Sequence, residues 1–254
     1  AQKRSERLQD VPVAVSVVSG NAIASLTRPN LESATQLVPS LNVLKSGTTL
    51  NQTIFLRGVG TATFSIAGEP SVSTVVDGVV YARSGEAFTD LVDIDQMEVL
   101  RGPQGTLFGK NASAGLINIT TRRPTTSFGG SVEAGFFSGG EYRLRGIVNV
   151  PISSEVLTRV TSFYSQYDGN IRNVTTGEDV NGYKRWGVRG QLLFQPANTS
   201  LRLLVIGDYY KNNDDCCAEV IGTGPITAGV PVANIISGAL PTPRGDKTRE
   251  IAQN

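Results

Sequence analysis

The chain has 254 residues, enough for one large domain or two ordinary ones and for a sizeable core. Lys and Arg total 23 against 22 Asp and Glu, a formal charge of +1, which argues against a nucleic-acid binder and against any broad basic attraction to anionic lipid. Histidine is absent, which removes His-based acid–base chemistry and His-containing zinc sites, and 28 glycines with only 18% charge point to strands and turns.

In chain order, Val13, Val15 and Val17 alternate in a half-buried strand pattern. Asn30 stands as an N-cap for a short helix carrying Leu31, Ala34, Leu37 and Val38, which Pro39 stops. Residues 53–57 read as a strand closed by Gly58. VSTVVDGVVYA is a hairpin signal, because Asp77-Gly78 supplies the positive φ angles of a tight turn between β-branched runs. A strand over 97–101, the glycine-punctuated GPQGTLFG and a strand over 115–120 complete a small mixed α/β unit.

After Pro124 the pattern changes to long alternating strands over about 130–138, 141–152, 156–167, 183–195 and 200–211. In one of them Tyr142, Leu144, Val148, Val150 and Ile152 share a face, with Arg143, Arg145 and Asn149 opposite. In another, Trp186, Val188, Leu192 and Phe194 oppose Arg185, Arg189 and Gln191. The strand over 156–167 fits least well, since Arg159 and Phe163 fall on one face. Soluble sandwiches also alternate, but strands of about 9–11 residues, apolar on one side and arginine-bearing on the other, suit a lipid-facing wall around a polar interior. Short links near 138–140, 151–155 and 195–199 contrast with longer polar loops near 168–182 and from 212 to about 245, the asymmetry of outer-membrane barrels. Five such strands cannot close a barrel. The uncharged run from Val220 to Pro243 holds four prolines and reads as a loop.

Sequence motifs for catalysis are weak. RGVGTAT has Thr63 where a dinucleotide fingerprint needs its third glycine, and GPQGTLFGKN has Gln104 and Asn111 at two defining positions of a phosphate loop; both read as tight turns. Asp93, Asp95 and Glu98 lack calcium-loop spacing and read as a solvated edge. No nucleophile–base pair stands out, so an enzyme is not expected, and neither is a cofactor or a bound metal. Adjacent Cys216 and Cys217 are candidates for a vicinal disulfide, strained because neighbouring Cα atoms lie about 3.8 Å apart. Two free thiols, or pairing with cysteines elsewhere, are the alternatives.

Residues 97–124, MEVLRGPQGTLFGKNASAGLINITTRRP, closely resemble the plug signature of TonB-dependent outer-membrane receptors. LQDVPVAVSVVSG, TIFLRGVG and STVVDGVVYARSG precede it in the order that family uses. The resemblance implies an α+β plug domain over 1–125, followed over 126–254 by antiparallel β-strands of an incomplete transmembrane β-barrel, part of a wall of about 22 strands when whole. It further implies TonB-dependent import of a scarce ligand, a ferric siderophore in the commonest case, across the bacterial outer membrane. Partners would be the ligand, outer-membrane lipid, and TonB with ExbB–ExbD, engaged by strand addition at a TonB box expected to be missing from this chain. Arg57 and Arg101 resemble the plug arginines that pair with barrel glutamates. Phe64, Tyr81, Arg83, Glu86 and Phe88, in the loops after Gly60 and after the Asp77-Gly78 turn, are the candidate ligand contacts. A ligand-sensing signalling receptor and a secreted β-rich adhesion or glycan-binding module are the rival readings.

Overall fold

The computed structural model describes residues 7, 13–44, 52–61, 68–81, 90–173 and 176–214. Its amino-terminal elements are β1 (Val15–Ser19), α1 (Gly20–Ala24), α2 (Leu31–Ala34), β2 (Leu41–Leu44), β3 (Thr53–Leu56), β4 (Val72–Val76), β5 (Val79–Tyr81), β6 (Ile94–Arg101), α3 (Gly105–Phe108) and β7 (Gly115–Thr121). The long strands follow as β8 (Gly129–Phe137), β9 (Glu141–Pro151), β10 (Val156–Tyr167), β13 (Tyr183–Phe194) and β14 (Leu203–Asp214), with a small hairpin, β11 (Ile171–Arg172) and β12 (Asp179–Val180), between β10 and β13. Two compact units emerge: 1–130 with 147–161 and 190–207, and 131–146 with 162–189 and 208–254.

In the first unit, five strands form a sheet in the order β1-β6-β7-β4-β5. β6 is antiparallel to β1 and β7, and β4 runs parallel to β7. The strands are rich in β-branched residues, and β4, VSTVV, has four of its five residues buried, as expected of a strand covered on both faces. Alternation along β6 and β7 divides the core. Met97, Val99, Ile117 and Ile119 face Ile23, Leu31, Ala34, Val38, Leu41, Ile54 and Leu56. Leu100 and Leu116 turn to the other side, toward Val75 and Phe108. Each such side chain contributes about 1.5–3 kcal/mol of burial. β2 and β3 pair with each other as a separate ribbon. Gly115 sits where a Cβ would meet the Leu100 carbonyl oxygen at 2.4 Å, at φ +155°, so the β6–β7 contact requires glycine there.

The local signals act as their chemistry dictates. Asn30 caps α2, its Oδ1 accepting from the Ser33 amide at 2.8 Å. Asp77 and Gly78 take φ of 50° and 88°, the paired positive values of a tight hairpin turn. Arg57 and Gly58, at 53° and 79°, build a second such turn, in which Leu56 and Val59 exchange backbone hydrogen bonds of 2.9 Å. Three expectations need correction. The helix after Asn30 is one α-turn continued by a 3₁₀ turn over Thr35–Leu37, which leaves Leu37 exposed. GPQGTLFG is not a plain turn: Gly105–Phe108 form a helical turn that buries Phe108. The last long strand covers 203–214 instead of 200–211.

The long strands form an open sheet in the order β14-β13-β10-β9-β8, an up-and-down arrangement. Short turns join β8 to β9, with Gly139 and Gly140 at positive φ, and β9 to β10, where Ser153 Oγ accepts from the amides of Glu155 and Val156. β10 and β13 are separated by the longer connection that carries β11 and β12. No helix among the described residues is long and apolar enough to cross a membrane, a result that leaves membrane strands untouched. The run from Val220 to Pro243 lies outside the described residues.

Candidate functional site

The amino-terminal sheet has two distinct ends, fixed by the parallel register of β4 and β7, in which Val72 pairs with Gly115 and Val76 with Ile119. One end gathers the connections into β4, out of β5 and between β6 and β7. There the hydroxyls of Thr61 and Ser71 are hydrogen-bonded, and Lys110 pairs with Glu69. Thr61 and Tyr81, the last described residues before the two segments expected to touch ligand, lie at this end. Tyr81 is half-buried at the close of β5, opposite Thr74. Phe64, Arg83, Glu86 and Phe88 lie outside the described residues, as do Cys216 and Cys217. Arg57 is exposed in its turn. Arg101, the last residue of β6, donates from Nη2 to Ser16 Oγ, while its buried Nε finds no partner among the described residues.

The opposite end is built for contact with the long strands of the same unit. Asp77 accepts from the Thr121 amide at 3.0 Å, from Thr121 Oγ1 at 2.7 Å and from Arg123 at 3.0 Å, tying the β4–β5 turn to the end of β7. Thr121 Oγ1 in turn accepts from Gln191 Nε2 of β13 at 3.1 Å, and Gln191 also donates to the Arg122 carbonyl at 3.0 Å. Asn149 of β9 is buried; its amide oxygen accepts from the Thr125 amide, and its nitrogen donates to the carbonyls of Thr125 and Ser127.

The strongest of these contacts is ionic. The Asp93 carboxylate receives Arg159 Nε and Nη2, each at 2.6 Å, and Thr161 Oγ1 at 2.9 Å. Their side chains are 2% and 11% exposed. A guanidinium fork on a carboxylate gives two parallel charge-assisted bonds, the geometry that best compensates removal of both charges from water. Asp93 reaches it from a backbone at φ 58°, immediately before β6, a conformation that Asp tolerates better than most residues. The reading of Asp93, Asp95 and Glu98 as a solvated edge is therefore corrected. Asp95 is exposed, but Asp93 is held by Arg159, and Glu98 is buried with Asn118 Nδ2 at 2.9 Å. The sequence signal for this pair was the apparent irregularity of β10: Arg159, Thr161 and Phe163 share a face because that face is packed.

In the second unit the corresponding face of the strands, set by their period-two alternation, is also polar. Glu141 is buried, paired with Arg143 and accepting from Tyr183 Oη at 2.7 Å. Arg185 holds Asp214 through two bonds of 2.8 and 2.7 Å, with its guanidinium 4.4 Å from the Tyr183 ring. Phe163 packs near Tyr210 over Gly187, where a Cβ would meet Tyr210 at 2.3 Å. The other face of the long strands is apolar and exposed, through Tyr142, Leu144, Trp186, Val188 and Tyr209 in this unit and Val148, Val150, Leu192, Leu203 and Val205 in the first. No group of three metal-ligating side chains occurs among the described residues.

Comparison with known proteins agrees with this geometry. Residues 7–116 match the family model described as the TonB-dependent receptor plug domain. The pesticin receptor of Yersinia pestis is 35% identical over 205 residues, 80% of this chain and 29% of that receptor. The catecholate siderophore receptor Fiu of Escherichia coli K12 is 26% identical over 192 residues, 76% of this chain and 24% of that receptor. The crystal structure of the ferric yersiniabactin uptake receptor FyuA from Yersinia pestis superposes with a TM-score of 0.74 at 31% identity, covering 80% of this chain and 32% of that one. The chain thus spans under a third of the length of these relatives.

Proposed function

The chain belongs to the TonB-dependent receptors, and on that premise we propose that it imports a ferric siderophore across the bacterial outer membrane, with residues 1–125 as the plug and the strands from 126 onward as the wall around it. The observation that carries this reading is the two-faced sheet. Its polar face holds the plug through Asp93–Arg159, Thr121–Gln191 and Asn149, and its opposite face is uncovered Leu, Val, Trp and Tyr. A soluble sandwich would bury the second face and hydrate the first; a wall between hydrocarbon and a plug does the reverse.

The import step involves no covalent chemistry in this reading. Ligand enters at the plug end where Tyr81 closes β5, and Phe64, Arg83, Glu86 and Phe88, which lie outside the described residues, are the further proposed contacts. Energy arrives from TonB with ExbB–ExbD, and the plug shifts while the wall stays in lipid. Arg57 and Arg101 are assigned carboxylate partners on further wall strands; the partnerless Nε of Arg101 supports this for the second of them. Iron is cargo, carried by the siderophore. The names of the relatives support a ferric siderophore, and ferric yersiniabactin is the first probe to try.

The test is uptake of radiolabelled iron by cells that lack their own receptor for the siderophore and express this one intact. Saturable uptake that disappears when TonB is deleted supports the reading. Uptake that persists without TonB, or none with any ferric siderophore tried, contradicts it.

A further inference from the structure

One end of the long-strand sheet carries a row of aromatic and charged residues on its polar face. Phe137 closes β8, Glu141 opens β9, Tyr167 closes β10, Tyr183 opens β13 and Asp214 closes β14, so these five strand ends share one rim. Beneath the rings lies a paired ionic layer. Glu141, whose side chain is 1% exposed, accepts from Arg143 Nε at 2.6 Å and from Tyr183 Oη at 2.7 Å. Arg185 holds Asp214 through two bonds and sets its guanidinium 4.4 Å from the Tyr183 ring. Tyr183 meets Tyr167 with centroids 5.7 Å apart. Tyr167 in turn lies against the β8–β9 turn, where a Cβ on Gly139 would meet its ring at 3.2 Å.

Phe137 departs from this pattern. Its neighbour Phe136 meets Tyr142 on the apolar face, but Phe137 turns to the polar one, with the Arg143 guanidinium 4.3 Å from its centroid. The ring is closely seated, since a Cβ on Gly135 would meet it at 2.7 Å. It is nevertheless 38% exposed, an apolar surface held open among paired polar groups. Two properties decide what fits it. Arg143 and Arg185 each already hold a carboxylate of this chain, so the rim suits a flat ring better than a free anion. A guanidinium beside a ring also draws π density toward itself, which leaves the rest of the ring better matched to an electron-rich aromatic partner.

We propose that Phe137, flanked by the Tyr167–Tyr183 pair, is a specificity-determining contact for an aryl-bearing ferric siderophore, one whose phenolate or catecholate oxygens bind the iron. The siderophore's ring stacks on the open surface of Phe137, and its electron-rich character is what the Arg143-polarised ring selects. A chelate built from hydroxamates has no ring to place there and gains nothing at this rim. This rests on the reading of the receptor as a ferric-siderophore importer, and it narrows that reading to one chemical class of chelate.

The probes are ferric enterobactin and ferric yersiniabactin, which present aryl rings, and ferrioxamine B, a hydroxamate. The intact receptor, Phe137→Leu and Phe137→Trp would be titrated with each chelate carrying radiolabelled iron. The receptor should bind at least one aryl chelate more tightly than ferrioxamine B. Phe137→Leu keeps an apolar side chain but loses the ring, and should bind that chelate about 10-fold more weakly, whereas Phe137→Trp should stay within about 2-fold. Affinity for ferrioxamine B should be the same in all three proteins. Equal affinity of the receptor and Phe137→Leu for the aryl chelates overturns the proposal, as does tighter binding of ferrioxamine B than of both. Membrane insertion is read from heat-modifiable gel mobility, and Tyr167→Leu carries the same test if Phe137→Leu does not insert. TonB-dependent uptake of ferrioxamine B that is unchanged in Phe137→Leu sinks this inference and leaves the importer standing; absence of uptake of every ferric chelate sinks both.

Discussion

The amino-terminal sheet and the long-strand sheet use the same residue types in opposite places. In the first, Met97, Leu100, Leu116, Ile117 and Ile119 are sealed in the interior, and charged residues such as Asp95 and Lys110 face outward. In the second, Asn149, Thr161, Ser165, Arg189 and Gln191 are buried while Leu144, Val188, Leu192 and Val205 are exposed. A single hydrophobic rule cannot produce both arrangements in water. On the proposed reading what inverts is the solvent: the first region is organised against water, and the second would be organised against hydrocarbon on one side and a polar plug on the other.

The sharpest way to break this contrast is to remove the charge that crosses between the regions. Asp93→Ala leaves Arg159 buried and uncompensated, and should cost about 3–5 kcal/mol in denaturant unfolding of the intact receptor. Replacing both residues, as in Asp93→Ala with Arg159→Leu, should recover most of that loss; no recovery would mean that the pair acts through something other than charge burial. Next in size is arginine on the uncovered face. Val188→Arg should reduce membrane-inserted receptor by the equivalent of about 2–4 kcal/mol if it sits near mid-membrane, whereas Leu37→Arg in the amino-terminal region should stay within about 0.5 kcal/mol. Equal tolerance of the two would erase the distinction between the regions.

Smaller effects sharpen it. Asn30→Ala removes the α2 cap and should lower the stability of the amino-terminal region by about 1 kcal/mol, readable as faster hydrogen exchange over residues 31–38 with the long strands unchanged. The Arg172–Asp179 pair of the small hairpin is 57% and 42% exposed, so Arg172→Ala should change thermal stability by less than about 1 kcal/mol.

Much of this organisation was legible in the residues. The Asp77-Gly78 turn, the Asn30 cap, the span of β10 over 156–167 and the two faces of β9 and β13 follow from local conformational preference and period-two alternation. The plug followed from motifs in series, and the family comparison supports it. The packing between the plug and the strands did not show in the sequence. Asp93 looks solvated beside Asp95 and Glu98 because its partner is 66 residues away on a strand whose polar face is itself invisible until something is packed on it. The sequence pattern sets β14 three residues early because Asn212 and Asp214 resemble loop residues, yet Asp214 belongs to the strand and bonds Arg185. The short β11–β12 hairpin, with pairs Ile171–Val180 and Arg172–Asp179, is too brief for periodicity to reveal.

The inverted sheet is tested most directly by spin labels placed one at a time at 188, 189, 191 and 192 of the intact receptor in a lipid bilayer, with Cys216 and Cys217 replaced by serine. Collisions with membrane-dissolved oxygen should be frequent for labels at 188 and 192 and rare at 189 and 191, where the native Arg189 and Gln191 are buried. Labels at 188 and 192 that collide instead with a water-soluble nickel chelate, or that show no alternation with 189 and 191, would contradict a wall with its apolar face in lipid.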